Sequence, residues 1–172
     1  MSPLLEGWEN VNRAQEQERG AAAVELALIL PLVVALLFGS LDFGMALNDY
    51  QTLRAGVRDG LRDAAVADYH PNCAGYGTSG QQLICSVKEA MSIDTTEVRV
   101  RVEVPMTAEV GEKVVVCAAT PMESISGVFA PMMSGRVLKA QTVMRVEVAS
   151  APLLTTTSEP PVEGSNWDWC TP

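Results

Sequence analysis

No stretch limits the folds open to this chain more than Arg19 to Leu41, RGAAAVELALILPLVVALLFGSL. Between Leu26 and Leu41 no residue is charged, and the 21 residues from Ala21 to Leu41 are interrupted only by Glu25. About 20 apolar residues are needed to cross a bilayer core as a helix. The alternative is a buried core helix, but helices of globular proteins are rarely apolar on every face, as this run is, and it reads as a membrane span. It is also too long for a secretory signal peptide, whose apolar region of about 7–15 residues ends at a small-residue cleavage site.

Glu25 conflicts with that environment. An acid at the centre of a spanning helix costs about 2.5–3.5 kcal/mol on insertion scales, and less near an end. It therefore either lies at the interface, with its carboxylate reaching water, or has a partner. A cut after Gly20 would create such a partner, the α-amino group of Ala21, supplied by the same or a neighbouring subunit. With Ala21 counted as the first residue, Glu25 is the fifth.

Past the anchor, Phe43, Leu47, Tyr50, Leu53, Val57, Leu61 and Ala64 recur every three or four residues, which predicts that the same helix continues out of the membrane. Arg54, Arg58 and Arg62 fall on another face, either as a solvated stripe or as partners for acidic neighbours in an assembly. Gly39, Gly44, Gly56 and Gly60 weaken the helix or permit close packing, and Ala35–Gly39, Ser40–Gly44 and Gly56–Gly60 are small residues four apart. Pro31 removes one helical hydrogen bond and marks a point of kinking or local unwinding.

The helix is expected to end near Tyr69, ahead of a turn-rich loop with Pro71, Gly75, Gly77 and Gly80. A short helix is predicted over 81–91, with Leu83, Ile84, Val87 and Met91 on one face. Three strands follow. Val98 to Val104 alternates Val with Arg99, Arg101 and Glu103, Lys113 to Ala119 is nearly all apolar, and Val137 to Val148 sets Leu138, Ala140, Thr142, Met144, Val146 and Val148 on one side. The connection 121–135 has room for a short helix around 125–132. The expected fold is α+β: a long transmembrane and amphipathic helix, a short helix and a small three-stranded antiparallel sheet covered by the exposed half of the long helix.

These segments divide the chain into a leader of little structure (1–20), the span (21–41), a helical extension (42–69), a small α+β domain (70–148) and a Pro/Thr-rich tail (149–172). Trp167, Trp169 and Cys170 at the end of the tail predict that it is pinned back on the domain, the alternative being a loose adhesive tip. Cys73, Cys85, Cys117 and Cys170 all follow the anchor, an even number that fits an oxidising exterior. Of the three possible pairings, Cys73–Cys85 closes a local loop onto the short helix and Cys117–Cys170 ties the tail to the sheet. A zinc site is disfavoured, because there is no CxxC pair and the only histidine is His70. Twelve basic against twenty-one acidic residues, a net charge of −9, disfavour nucleic acid as a partner.

Gly20 followed by AAAVE and an apolar run resembles the class III signal of type IV pilins, in which a prepilin peptidase cuts after the glycine and a glutamate occupies the fifth mature position. The wider string from Glu18 to Ala65 resembles the TadE-like minor pilins, or pseudopilins, of tight-adherence (Tad/Flp) pili, and weaker similarity reaches Met144 to Glu147. Leu26 stands where major pilins of this system usually have an aromatic residue, and the chain is longer than theirs, which implies a minor subunit. The resemblance implies processing at Gly20–Ala21 and an assembly role for Glu25. The partners it implies are the membrane, other pilin subunits, the prepilin peptidase and the inner-membrane assembly platform. Arginines flank the anchor on both sides, so charge does not set its orientation; the cysteines and the pilin-like signal place the N-terminus in the cytoplasm and the domain outside.

No nucleophile motif, phosphate-binding glycine loop or HExxH helix is present, and a general base is not evident. The expectation is a non-enzyme without cofactor or metal. It would serve in pilus assembly, priming or tip adhesion; the alternatives are a single-pass anchored binding domain outside any fibre and a membrane enzyme of unrecognised type.

Overall fold

The computed structural model describes residues 3–66, 70–104, 111–145 and 156–171, and in the first helix the side chains from Gly20 to Asp63. Helix α1 runs unbroken from Pro3 to Val66, 64 residues, and passes through Pro31. At 1.5 Å per residue it is about 96 Å long. Residues 3–19, expected to carry little structure, are helical and continuous with the apolar run; glutamate, glutamine, leucine, alanine and arginine, all good helix formers, dominate that stretch. Residues 67–69, where the helix was expected to end, lie outside the described residues.

A short 3-10 turn, Pro71–Cys73, leads to α2, Ser79–Glu89. The α2 start lies two residues before the predicted one, because Thr78 and Gln81 form a reciprocal capping box: the Gln81 N–H donates to Thr78 Oγ1 (3.3 Å) and the Thr78 N–H to Gln81 Oε1 (3.2 Å). Strands β1 (Arg99–Glu103), β2 (Lys113–Pro121), β3 (Val137–Arg145) and β4 (Thr157–Ser158) form one antiparallel sheet in the order β3-β2-β1-β4. The sheet thus has four strands where three were expected. The fourth comes from the segment read as plain tail, with Thr157 opposite Val102 and Ser158 opposite Arg101. Helix α3, Ala130–Met133, is a single turn and shorter than the predicted 125–132. Val146 and Val148 lie outside the described residues.

The register explains two buried layers. Val100 pairs with Ala118 and Val102 with Val116, so these side chains share the face that packs on Leu53, Val57 and Leu61 of α1 and Leu83, Ile84 and Val87 of α2. Leu138, Ala140 and Met144 of β3 join the same layer, as their alternation predicts. Val115, Cys117 and Ala119 face the other way, onto Val162, Trp167 and Cys170 of the C-terminal segment. Strand β2 is covered on both faces, which accounts for its nearly continuous apolar sequence.

The C-terminal segment is pinned, not loose. Glu159 pairs with Lys88 of α2 at 2.7 Å, accepts from the Val100 N–H and, through its carbonyl, from Trp167 Nε1; Cys170 is bonded to Cys117. Cys73 is bonded to Cys85, so both expected pairings are present.

The α1–α2 contact is close enough to require glycine. A Cβ on Gly60 would stand 2.9 Å from the Val87 Cα and 3.1 Å from its nitrogen, whereas a Cβ on Gly56 would meet mainly the pliable Met91 side chain. Overpacking of this kind costs about 1–3 kcal/mol, and a glycine-to-alanine change in a helix returns about 1 kcal/mol. Gly60→Ala is therefore expected to lower the domain's melting temperature, and Gly56→Ala to lower it less or not at all. Equal melting of Gly60→Ala and wild type in thermal unfolding would contradict this packing.

Candidate functional site

The features that set this chain apart from an ordinary small domain lie along the first two thirds of α1. Gly20, Ala21 and Glu25 occupy adjacent turns, all exposed. Glu25 stands four residues above Ala21, about 6 Å along the axis, and helical side chains lean toward the N-terminus, so its carboxylate points back toward the Gly20–Ala21 bond. It makes no ion pair among the described residues. A Cβ on Gly20 would meet nothing within 4 Å, so packing does not require glycine there.

Above Glu25 the helix is bare: Leu28 is 76% and Leu36 64% exposed, and Gly20–Asp63 contains a window long and apolar enough to cross a membrane, none of it buried by the protein itself. Among the described residues this is the one helix long and apolar enough to cross a membrane, which points to a single-pass anchor. The predicted amphipathic face divides in two. Leu53, Val57 and Leu61 are buried, but Phe43 and Leu47, expected on the same packed face, remain more than half exposed because the domain's apolar layer reaches only as far down as Leu53. Arg54, Arg58 and Arg62 are exposed, Arg54 over the Tyr50 ring at 5.6 Å.

Where the bare helix meets the domain, Asp42 is 1% exposed and ties the two together. Its Oδ1 accepts from the backbone N–H groups of Ile125 (3.1 Å) and Ser126 (3.0 Å), and its Oδ2 from the hydroxyls of Ser124 (2.7 Å) and Ser126 (2.6 Å). Next to this knot the Phe129 ring lies 3.4 Å from where a Gly39 Cβ would be, so Gly39 admits an aromatic ring against the last turn of the apolar run. Sequence reasoning missed Asp42, because an acid just past a span looks like an ordinary interfacial charge. Its four donors lie more than eighty residues away, and no local signal links them to it.

The four cysteines lie in the domain, away from Glu25, and among the described residues no three His, Cys, Asp or Glu side chains cluster as a metal site. An open groove of about 880 Å³ on the C-terminal side of the sheet is lined by Glu97, Arg99, Arg136 and Glu163 with prolines and glycines; its lining includes no nucleophile. Among the described residues, convergence of polar groups is found at the junction of the anchor with the domain.

No curated protein and no solved structure matches this chain. Residues 20–62 match the family described as TadE-like protein, so over the bare span and the helical stalk above it this chain is similar to TadE-like proteins.

Proposed function

We propose that this protein is a minor pilin, or pseudopilin, of a tight-adherence pilus. It is inserted in the membrane through α1, cut between Gly20 and Ala21 by a prepilin peptidase, and takes part in assembly together with other pilin subunits and an inner-membrane platform. The observation that carries this reading is the pairing of a TadE-like segment with an apolar helix that its own domain leaves uncovered below Gly39. Such a helix needs lipid around it before assembly and the helices of other subunits around it afterwards. Gly20 supports the same reading, since its lack of a side chain serves no contact within the fold. The role is structural and not enzymatic. The N-terminus lies in the cytoplasm and the disulfide-bonded domain outside, where thiols are oxidised.

The mature chain is expected to begin at Ala21. Intact mass of protein extracted from membranes of cells that make the whole pilus system measures this directly. A mass that retains residues 1–20 would remove the processing step and leave a single-pass anchored binding domain as the better reading.

A further inference from the structure

The connection between β2 and β3 carries no charge from Ser124 to Gly135, and Glu123 and Arg136 stand at its two ends. Three of its large apolar side chains are not drawn into the core: Ile125 is 69%, Met132 65% and Val128 53% exposed, while Met133 turns inward and Phe129 packs on α1 at Gly39. Connections on a domain in water are usually polar, and a charge-free lobe showing three large apolar side chains is a contact surface in want of a partner.

The position of the lobe identifies that partner. Its root is fixed to α1 at Asp42 by four hydrogen bonds and at Gly39 by the Phe129 ring. Asp42 lies 21 residues beyond Ala21, about 32 Å along the helix, against a hydrocarbon core about 30 Å thick. The lobe is therefore level with the bilayer surface from which α1 emerges. Around it the helix is still apolar and exposed at Phe43, Met45 and Leu47, and the next charge after Asp42 is Asp49. Asp42 presents no bare carboxylate to lipid, because all its acceptor capacity is turned onto the lobe.

We propose that Ile125, Val128 and Met132 insert into the interfacial layer of the bilayer beside α1, giving the domain a second hold on lipid. The proposal rests on the reading of α1 as a membrane span. The hydrogen bonds to Asp42 hold the polar backbone of the lobe's root in a region where water is scarce, and the exposed side chains supply the apolar contact. The occupant is lipid and not a second copy of the chain, since the lobe is rooted on α1 at Gly39 and Asp42, at the outer boundary of the span, beside the exposed apolar Phe43.

The test uses the full chain in phospholipid vesicles. All described cysteines are paired, so one added cysteine is the only free thiol for an environment-sensitive fluorophore. Labels at Val128→Cys and Met132→Cys are compared with Leu30→Cys in the span and with Glu89→Cys, an exposed site on α2, whose Val87 and Met91 pack on Gly60 and Gly56 about 20 Å or more above Asp42. The lobe labels are expected to show blue-shifted emission and to lose intensity when spin-labelled lipid is included, as the Leu30 label does, whereas the Glu89 label does neither. Quenching at Leu30 with none at Val128 or Met132 overturns the proposal and leaves the span intact. No quenching at any of the sites overturns the span itself and the proposal with it. A blue shift at Val128 that grows with the protein-to-lipid ratio and resists the lipid quencher would assign the patch to a second copy and overturn the lipid contact.

Discussion

Glu25→Ala is expected to abolish or sharply reduce pili in cells carrying it as the only copy, with membrane level and cleavage after Gly20 unchanged. The substitution removes a charge that opposes partitioning into lipid, so insertion is unchanged or improved. In an assembled fibre the Ala21 amine of an adjacent subunit would lose its counter-charge, and breaking a buried pair typically costs about 3–5 kcal/mol, roughly a hundredfold or more in the equilibrium for adding one subunit. Counting surface pili by electron microscopy, alongside immunoblots of membrane fractions, separates the two effects. Normal pili in the variant would reduce Glu25 to an interfacial residue and favour the anchored binding domain.

Removal of the Cys117–Cys170 bond is expected to be the most damaging single change to the domain. The bond joins positions 53 apart in sequence, for which the chain-entropy model gives about 4 kcal/mol, against about 3 kcal/mol for the separation of 12 between Cys73 and Cys85. The loss is compounded by position, because Cys117 and Cys170 lie at 0% and 1% exposure in the layer that also holds Val115 and Trp167. The double serine variant should melt well below wild type and shift tryptophan emission to the red, and the Cys73/Cys85 pair should melt between the two. If the Cys117/Cys170 variant kept its tryptophan emission and its melting temperature, β4 and Trp167 alone would be holding the C-terminal segment.

What was legible in the sequence is what local pattern encodes. The span, the face of α2 with Leu83 and Val87, the alternation of β1 and the apolar run of β2 each carry a period that survives without knowledge of the fold. The missing pieces are matters of distant pairing. Strand β4 is two residues long, Thr157–Ser158, and no alternation can show in so short a stretch; it is a strand because β1 has a free edge and Glu159 bonds to Val100 beside it. Asp42 and the Ser124–Ser126 turn are each ordinary by themselves. Phe43 and Leu47 obey the same period as Leu53 and Val57, yet period says which side of a helix is apolar and not how far along it the domain extends. At the N-terminus the limit was different: the residues before Gly20 favour helix by composition, but with no clear apolar period there was little for pattern reading to use.

The continuity of α1 with the domain has a mechanical consequence. Between the apolar span and the sheet there is no tether, since the same helix passes from Gly20 into the packed layer at Leu53, Val57 and Leu61. A load applied to the domain along the helix axis cannot be taken up by extending a flexible segment. It reaches the span as shear, shared by the Asp42 knot low on the helix and by the Gly60–Val87 contact higher up, so that many contacts resist at once. The domain and its anchor would therefore move as one rod, and a pull of molecular machinery on either end would be transmitted to the other without slack.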